Sequence, residues 1–394
     1  MNMNSVDPPI YLDGFATMPL APEAQEAMVA AWTTPANAGS PHILGERAAA
    51  AISGARADVA KLIASAPSEI VFTSSATEAN NLAMLGVADW AVETQNPRRR
   101  IVVSAVEHKA VLEPAHRLKK LGFDVVVAPV DYSGVIDLSA LRVLVDSNTL
   151  LISIMVANNE TGVLQPLSDV VAIARANGAL IHCDGAQAAG KIPLDVVELD
   201  IDYLSLSSHK MYGPVGVGGL YVSAAAPPPR PIQFGGGQQN SIRPGTEPVP
   251  LIVGFGAAAS LACSKLSADA KHGDELALRL LAKLQERQAP CRRTTNGAPV
   301  LPGTLSLSAL GVDADDLVSL LQTKVCFSTG SACTSGQFLS SHVLLAMGMT
   351  QMEARTVFRI YCNRYTTEND IDIAADEIAK ALLRARLASG RSRQ

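Results

Sequence analysis

The feature that most constrains the fold is an alternation, from about residue 45 to residue 225, of short β-branched runs with longer amphipathic runs. This alternation is typical of a mainly parallel sheet, because parallel strands need long crossover connections that are usually helical. The predicted strands cover residues 69–73, 100–104, 125–130, 150–156, 179–183, 203–207 and 217–222. The predicted helices cover residues 52–64, 77–92, 109–121 and 167–177. We therefore predict an α/β protein with a three-layer, mainly parallel sheet flanked by helices.

The pattern breaks at the prolines 227–229 and the glycines 235–237, which indicates the end of the sheet domain. A long helix over residues 251–287, a strand over 304–307, a helix opening at Asp313 and a last helix starting at Thr367 then follow. We predict a large cofactor-binding domain over residues 18–255. A smaller α+β domain would combine residues 1–17 with residues 256–394.

Composition excludes several classes of protein. The 394 residues carry 32 basic and 37 acidic side chains, so a direct nucleic-acid partner is not favoured. The longest informative uncharged run, residues 211–229, contains four glycines and four prolines, so it cannot be a membrane helix. No Lys or Arg precedes Arg47, which argues against a secretory signal. The expectation is a cytoplasmic protein with no membrane partner.

Six cysteines are too few for a disulfide scaffold, and none lies in a C-x-x-C pair that would indicate a metal site. Cys333 differs from the others because it lies among small residues and two glycines in residues 328–336. That composition offers little packing and much backbone freedom, and it predicts a thiol on a mobile loop rather than in a core. The question is whether this thiol is a nucleophile.

Four polar side chains follow four separate predicted strands: Thr77, His108, Asp184 and Lys210. Each has an ordinary structural explanation when taken alone, namely a helix cap, a structural histidine, a turn-capping aspartate and a solvated lysine. However, the carboxyl ends of parallel strands meet at one edge of a sheet, where ligands bind. The four side chains are therefore predicted to converge on one crevice.

The same side chains suit a carbonyl cofactor. A dehydrated lysine amine such as Lys210 can form a Schiff base, and a carboxylate such as Asp184 can hold a protonated pyridine nitrogen. Residues 74–78 join a strand to a helix, where free N–H groups and the helix dipole attract phosphate. A flat imidazole such as His108 could lie on the cofactor ring and move protons.

The chain resembles the cysteine desulfurases, which are fold-type I pyridoxal-phosphate enzymes of the class V aminotransferase group. Six motifs carry the resemblance in the same order: EHKAVL (107–112), NNETG (158–162), CDGAQ (183–187), SSHKMYGP (207–214), RPGT (243–246) and GSACTS (330–335). The resemblance runs from Tyr11 to about Thr367, which is nearly the whole chain. It implies pyridoxal 5'-phosphate as the cofactor.

The resemblance also implies roles for individual residues. Lys210 would bind the cofactor covalently, Asp184 would pair with the pyridine nitrogen, Gln187 would bond the ring oxygen, and His108 would stack on the ring as an acid/base. The remaining implied ligands of the cofactor contact its phosphate: Ala76 (through its backbone), Thr77, Ser207, His209 and, from the neighbouring subunit of a homodimer, Thr246. The substrate carboxylate would be bound by Asn158 and Arg359, whose guanidinium fork suits that task.

The implied reaction converts L-cysteine to L-alanine and leaves a persulfide on Cys333, which lies on a loop of the long type that delivers sulfur to a protein acceptor. A selenocysteine lyase or a related aminotransferase-like enzyme is the nearest alternative. A non-catalytic α/β scaffold is a more distant one, and the chain lacks a dinucleotide glycine fingerprint after a first strand. The pathway stays open among iron–sulfur clusters, tRNA thiolation and DNA modification.

Overall fold

The computed structural model describes residues 8–35, 37–330 and 340–391, and side chains up to residue 386. Its helices are α1 (Pro22–Trp32), α2 (Ile43–Leu62), α3 (Ala76–Glu93), α4 (Lys109–Lys120), α5 (Leu138–Leu144), α6 (Leu167–Ala176), α7 (Val249–Glu286), α8 (Ala314–Leu321), α9 (His342–Ala346), α10 (Gln351–Ala354) and α11 (Glu368–Arg391). Its strands are β1 (Ile10–Tyr11), β2 (Ile70–Thr73), β3 (Arg100–Ser104), β4 (Asp124–Ala128), β5 (Thr149–Ser153), β6 (Leu180–Asp184), β7 (Tyr203–Ser207), β8 (Gly218–Val222), β9 (Cys291–Arg293), β10 (Thr304–Ala309), β11 (Val325–Cys326), β12 (Ser328–Thr329) and β13 (Val357–Tyr361).

A seven-stranded sheet in the order β2-β8-β7-β6-β5-β3-β4 forms the centre of the protein. All neighbours pair in parallel except β8, which is antiparallel to both β2 and β7. The predicted α/β class with a mainly parallel sheet is therefore confirmed. The six parallel strands place their carboxyl ends at one edge of the sheet, and the loops that leave this edge carry the polar motifs.

Two apolar clusters cover the faces of the sheet. One combines residues of α2, α6 and α7 with β5, β6 and β7, and the other packs α3 and α4 on β3 and β8. The central strands β5, β7 and β8 are buried along their whole length, and the polar residues that they contain are the small side chains of serine and threonine.

A four-stranded antiparallel sheet in the order β12-β13-β10-β9 belongs to a separate apolar cluster with α8 and α11. The last helix begins as its sequence indicates: Thr367 Oγ1 accepts from the Asp370 N–H at 3.1 Å, and the Thr367 N–H donates to Asp370 Oδ2 at 2.8 Å. The face that was predicted to be apolar is buried: Ile371, Ala374, Ile378 and Leu382.

Helix α7 is long and apolar enough to cross a membrane by length and composition alone. About 44% of its most apolar window is buried inside the protein, and its first half packs in the same core as α2 and the sheet. A buried core helix of a water-soluble protein meets the same criterion, so this feature is weak evidence for a membrane.

Most element boundaries agree with the sequence patterns to within a few residues, and the main differences lie near the amino end. Helix α2 begins at Ile43 rather than at residue 52, capped by His42, whose Nδ1 accepts from Gly45 N–H at 3.3 Å. The alanines between the two starting points gave no amphipathic signal, although alanine favours helix. Helix α1 was not predicted, although Pro22 stands at its first position, where proline is common.

Candidate active site

One cavity of about 320 Å³ lies at the carboxyl edge of the large sheet. Nine of the twelve residues singled out from the sequence line it: Ala76, Thr77, His108, Asp184, Gln187, Ser207, His209, Lys210 and Arg359. They follow β2, β3, β6 and β7 or lie on β13, so the parallel sheet brings together side chains that are far apart in the sequence. The convergence expected from the strand pattern is present in the structure.

Asp184 ends β6 as a buried carboxylate in the wall of this cavity. Its Oδ2 accepts from Asn80 Nδ2 at 2.7 Å, and its Oδ1 accepts from the Ala186 N–H at 2.9 Å. Among the described residues Asp184 forms no ion pair. Its remaining lone pairs can therefore accept from a cationic ligand atom. Sequence reasoning missed Asn80, although a polar residue three positions after Thr77 in an apolar helix was a usable signal.

The start of α3 also lines the cavity. Ser75 is the N-cap and accepts from the Glu78 N–H at 3.2 Å, whereas the N–H groups of Ala76 and Thr77 have no partner among the described residues. Gly218 of β8 lies directly beneath this turn, since a Cβ there would come within 2.6 Å of the Ser75 carbonyl carbon. Free N–H groups at a helix N-terminus are suited to bind phosphate.

Glu78 lies in the first turn of this helix, where its negative charge would repel a bound anion. Arg243 compensates that charge, because its Nε lies 2.8 Å from Glu78 Oε1. Burial alone would raise the pKa of Glu78, but hydrogen bonds from Arg243 and Ser74 bring the pKa below the ordinary glutamate value. The sequence motif 243–246 therefore contributes to the environment of the helix start through Arg243.

His108 caps α4, where its Nδ1 accepts from the Ala110 N–H at 3.1 Å. This bond selects the neutral tautomer that carries its proton on Nε2. Burial lowers the pKa of His108, and Lys210 and His342 lower it further, while Asp184 acts in the opposite direction. The imidazole is therefore neutral near pH 7 and carries a donor at Nε2.

Lys210 lies in the turn after β7, half-buried, and its Nζ donates to the carbonyl oxygens of Phe15 and Ala16, the latter at 2.9 Å. The neighbouring His209 Nδ1 lies 3.1 Å from Thr17 Oγ1. Burial, followed by Lys210 and Lys191, lowers the pKa of His209 to about 4, so this ring is also neutral. Residues 15–17 form part of the site, and nothing in the sequence analysis had indicated them.

The structure places Asn159, not the predicted Asn158, at the cavity. The Asn158 amide is fully engaged in its own turn: Nδ2 donates to Val106 O at 3.0 Å, and Oδ1 accepts from Glu160 N–H at 2.8 Å and Thr161 N–H at 2.9 Å. An asparagine that bonds the backbone two and three residues ahead is a typical turn former. This turn chemistry in the NNETG motif was the signal that could have separated the two residues.

Arg359 of β13 is buried, with Nη1 donating to Asn159 O at 2.9 Å and Nη2 lying 3.6 Å from Asp13 Oδ1. Its Nε has no hydrogen-bond partner among the described residues. A buried guanidinium with an unused donor at a cavity wall is suited to bind a carboxylate.

The last two predicted residues are Thr246 and Cys333. Thr246 lines a separate cavity of about 670 Å³ together with Arg56, Gln239 and Glu247. Cys333 lies outside the described residues. Among the residues that the structure does describe, no group of three or more His, Cys, Asp and Glu side chains could hold a metal ion.

The donor set of the cavity fits pyridoxal phosphate. A carboxylate without an ion-pair partner is available for the pyridine nitrogen, free helix N–H groups are available for the phosphate, and a lysine amine of the same cavity is available for the aldehyde carbon. The chemically different groups of the cofactor thus each find a complementary group in the lining of the cavity.

Comparison with known proteins agrees with this chemistry. The family model described as aminotransferase class-V matches residues 10–373. The chain is 40% identical to cysteine desulfurase IscS of Rickettsia akari over 388 residues, which cover 96% of this chain and 92% of that protein. Among solved structures, a NifS-like protein superposes with a TM-score of 0.87 at 36% identity, covering 95% of this chain and 99% of that one. A structure of SspA in complex with cysteine has a TM-score of 0.79 at 34% identity, covering 91% and 100% of the two chains.

Proposed function

The chain belongs to the class-V aminotransferases and is a pyridoxal-phosphate-dependent cysteine desulfurase, and we propose that it removes sulfur from L-cysteine as a persulfide on Cys333. The observation that carries this assignment of roles is the convergence of Lys210, Asp184, His108 and the start of α3 on one cavity. The rest of the proposal concerns what this chain's own residues do there.

Substrate binding is assigned to Arg359 and Asn159. The buried guanidinium of Arg359 lines the cavity and favours a carboxylate ligand, and Asn159, whose carbonyl accepts from Arg359, lines the same cavity. This revises the pair suggested by the sequence, in which Asn158 stood in the place of Asn159.

The cofactor acts as an electron sink for the substrate carbon when it is bound. Asp184 keeps the ring nitrogen protonated, the helix start of α3 holds the phosphate, and Lys210 moves the α-proton of the substrate. His108 presents its Nε2 proton as an acid, and it can serve as a base only if Nδ1 gives up the Ala110 N–H.

Sulfur transfer then requires the Cys333 thiolate to attack the sulfur of the substrate. A new S–S bond forms, the substrate C–S bond breaks, and its electron pair stays on the carbon, which takes up one proton to become the methyl group of alanine. The thiol proton of Cys333 is released, so the sum is cysteine plus thiol giving alanine plus persulfide. An ordinary cysteine pKa of about 8.5 leaves only a minor thiolate fraction at neutral pH, so proton removal accelerates this step.

Substitution of single cysteines tests the assignment of Cys333. The Cys333→Ala variant should keep the visible absorbance of the cofactor but lose alanine formation and fail to retain ³⁵S from labelled cysteine. Cys326→Ala is the matched control, because Cys326 is also a free thiol, half-buried at the end of β11. Undiminished alanine formation in Cys333→Ala would refute the nucleophile role. Lys210→Ala should abolish the cofactor absorbance itself.

We also propose a homodimer in which Thr246 completes the phosphate site of the partner subunit. The support is that Thr246 is exposed and lies away from the cofactor cavity of its own chain. A mixed dimer of Lys210→Ala and Thr246→Ala subunits would then contain one intact site and recover activity. If mixing restores nothing, or if light scattering finds a monomer, this role of Thr246 is wrong.

The sulfur acceptor is proposed to be a protein, and iron–sulfur cluster assembly is the pathway favoured by the name of the Rickettsia relative. We propose that the protein acts in the cytoplasm, because the five described cysteines are all free thiols. A persulfide-dependent adduct captured through Cys333 from cells would identify the acceptor, and fractionation of those cells would test the compartment.

A further inference from the structure

Lys191 is a lysine in an unusual environment directly behind the cofactor cavity. It is only 5% exposed, and its Nζ donates to Gln187 Oε1 at 2.9 Å. The same Nζ lies 4.9 Å from the ring centroid of Tyr361 and 5.5 Å from that of Phe15. Among the described residues it has no carboxylate partner within ion-pair distance. Burying a lysine amine without a carboxylate partner costs free energy, so we expect Lys191 to have a role in the site.

The contacts of Gln187 indicate what that role is. A carboxamide has an accepting end and a donating end that are almost the same in shape, so its neighbours must decide which end faces a ligand. Lys191 donates to Oε1, and Nε2 donates to the Phe15 carbonyl at 2.9 Å. The lysine on one side and the carbonyl on the other therefore hold the amide in a single orientation.

The Phe15 carbonyl also accepts from Lys210 Nζ. One hydrogen-bonded chain thus runs from Lys191 through Gln187 and Phe15 to the amine that would bind the cofactor. Arg359 lies over the same Phe15 ring, at 5.9 Å. Lys191 therefore lies next to Phe15, whose carbonyl accepts from the cofactor lysine Lys210 and whose ring lies next to the substrate arginine Arg359.

We propose that Lys191 is a positioning residue that fixes the Gln187 amide with its N–H donors toward the cofactor and adds a buried positive charge behind the cofactor's ring oxygen. The proposal rests on the proposed function, since it assumes that the cavity holds pyridoxal phosphate. Lys191 itself does not touch the cavity space, because it is absent from the residues that line it.

The charges that face Lys191 in the empty cavity oppose its protonation, and the anionic ring oxygen of the cofactor would act in the opposite direction. Burial, followed by Lys210 and Arg359, lowers the pKa of Lys191 well below the ordinary lysine value. An anionic oxygen in the cavity would favour the charged amine again, and the charged amine would in turn favour that anion. Removing Lys191 should therefore stabilise the protonated form of the bound cofactor relative to the deprotonated form.

The test is an absorbance-monitored pH titration of the bound cofactor in Lys191→Met, Gln187→Ala and the double variant. Methionine has about the length of lysine but no donor. We expect Lys191→Met to raise the titration midpoint by about one pH unit, which is a tenfold change in proton affinity. Because Lys191 acts through Gln187, the double variant should differ from Gln187→Ala by much less than this single-variant shift. Lys271→Met, at an exposed site on α7, changes the net charge equally and should leave the midpoint unchanged.

A purely structural role predicts other results. Shifts that add in the double variant, or a lowered melting temperature with an unchanged midpoint, would overturn the proposal. If Lys191→Met does not hold the cofactor, Lys191→Gln restores a donor toward Oε1 and should return the midpoint toward that of the wild type; failure to do so also overturns it. A wild-type protein without cofactor absorbance would instead refute the proposed function.

Discussion

Glu160 is the residue whose behaviour with pH is most directly set by the structure. Its side chain is buried, Ser341 Oγ donates to its Oε2 at 2.5 Å, and Arg359 is the nearby opposite charge. Burial raises the pKa of Glu160 to about 7, although Ser341 and Arg359 act to lower it. We predict that Glu160→Gln removes a stability cost that grows in the wild-type protein as the pH rises from about 4.5 to about 7.

The direction of this change in the free energy of unfolding follows from the linkage between proton binding and folding. The pKa of Glu160 in the folded chain lies above its ordinary value of 4.5, so the folded state binds the proton more tightly. The stabilising effect of that proton is fully present below pH 4.5 and is lost as the pH rises through 7. With about 1.4 kcal/mol per pH unit, the free energy of unfolding of the wild type should fall by about 2.5 kcal/mol relative to Glu160→Gln between pH 5 and pH 8. For a chain of this length that is a relative melting shift of roughly 3 °C.

Differential scanning calorimetry of both proteins with cofactor bound, from pH 5 to pH 8, measures this difference. Glu275→Gln on α7 is the matched control, because it removes an exposed carboxylate. Melting temperatures of Glu160→Gln and wild type that run parallel over the whole range would refute the reasoning, since the buried carboxyl group would then not be exchanging a proton there.

Three further predictions concern other contacts. Asn80→Ala should raise the dissociation constant of the cofactor about tenfold, since it removes a hydrogen bond to the Asp184 carboxylate, while the neighbouring Asn81→Ala should not; equal effects in equilibrium dialysis would argue against this. Arg243→Met should lower the free energy of unfolding by about 3 kcal/mol near pH 8 and by less near pH 3, because the lowered pKa of Glu78 makes that pairing effective above pH 4.5 and protonation removes it as the pH falls below that value; urea unfolding at both pH values measures it, and a loss that does not depend on pH would count against the pair. Gly330→Ala should destabilise by about 1–3 kcal/mol because its Cβ would lie 2.3 Å from Glu160 Oε2, whereas Gly54→Ala, in open space on α2, should stabilise by about 0.5–1 kcal/mol; thermal melts in which both variants shift in the same direction would contradict this.

Glu160 connects this chemistry to the predicted nucleophile. Gly330 and Ser341 both contact its carboxyl group, and the segment between them in the sequence carries Cys333. His342, which follows Ser341, places its Nε2 2.9 Å from the Glu107 carbonyl, next to His108. Gly330, Ser341 and His342 therefore all lie close to the candidate site.

Local patterns in the sequence were enough to predict the fold class and four residues of the cavity, Thr77, His108, Asp184 and Lys210, whereas the family resemblance supplied the others. Period and strand propensity located β3 and β7 without error, and the capping residues Thr367 and Asp370 located the last helix. These features depend on neighbours a few residues away. Because parallel strands all end at one edge, the order of strand and polar residue also predicted that Asp184 and Lys210 would meet.

Only the tertiary structure decided the features that depend on distant contacts. The two-residue strand β1 exists because it pairs with β11, more than three hundred residues later, and no local pattern marks it. Asn159 rather than Asn158 reaches the cavity because Asn158 is used by its own turn and by Val106. Lys191 has the sequence of a loop lysine, but folding buries it between two rings and an amide. The sequence by itself determined where the chain can form helices and strands, whereas the packing of distant segments decided which polar groups are buried, and burial is what sets their orientation and charge.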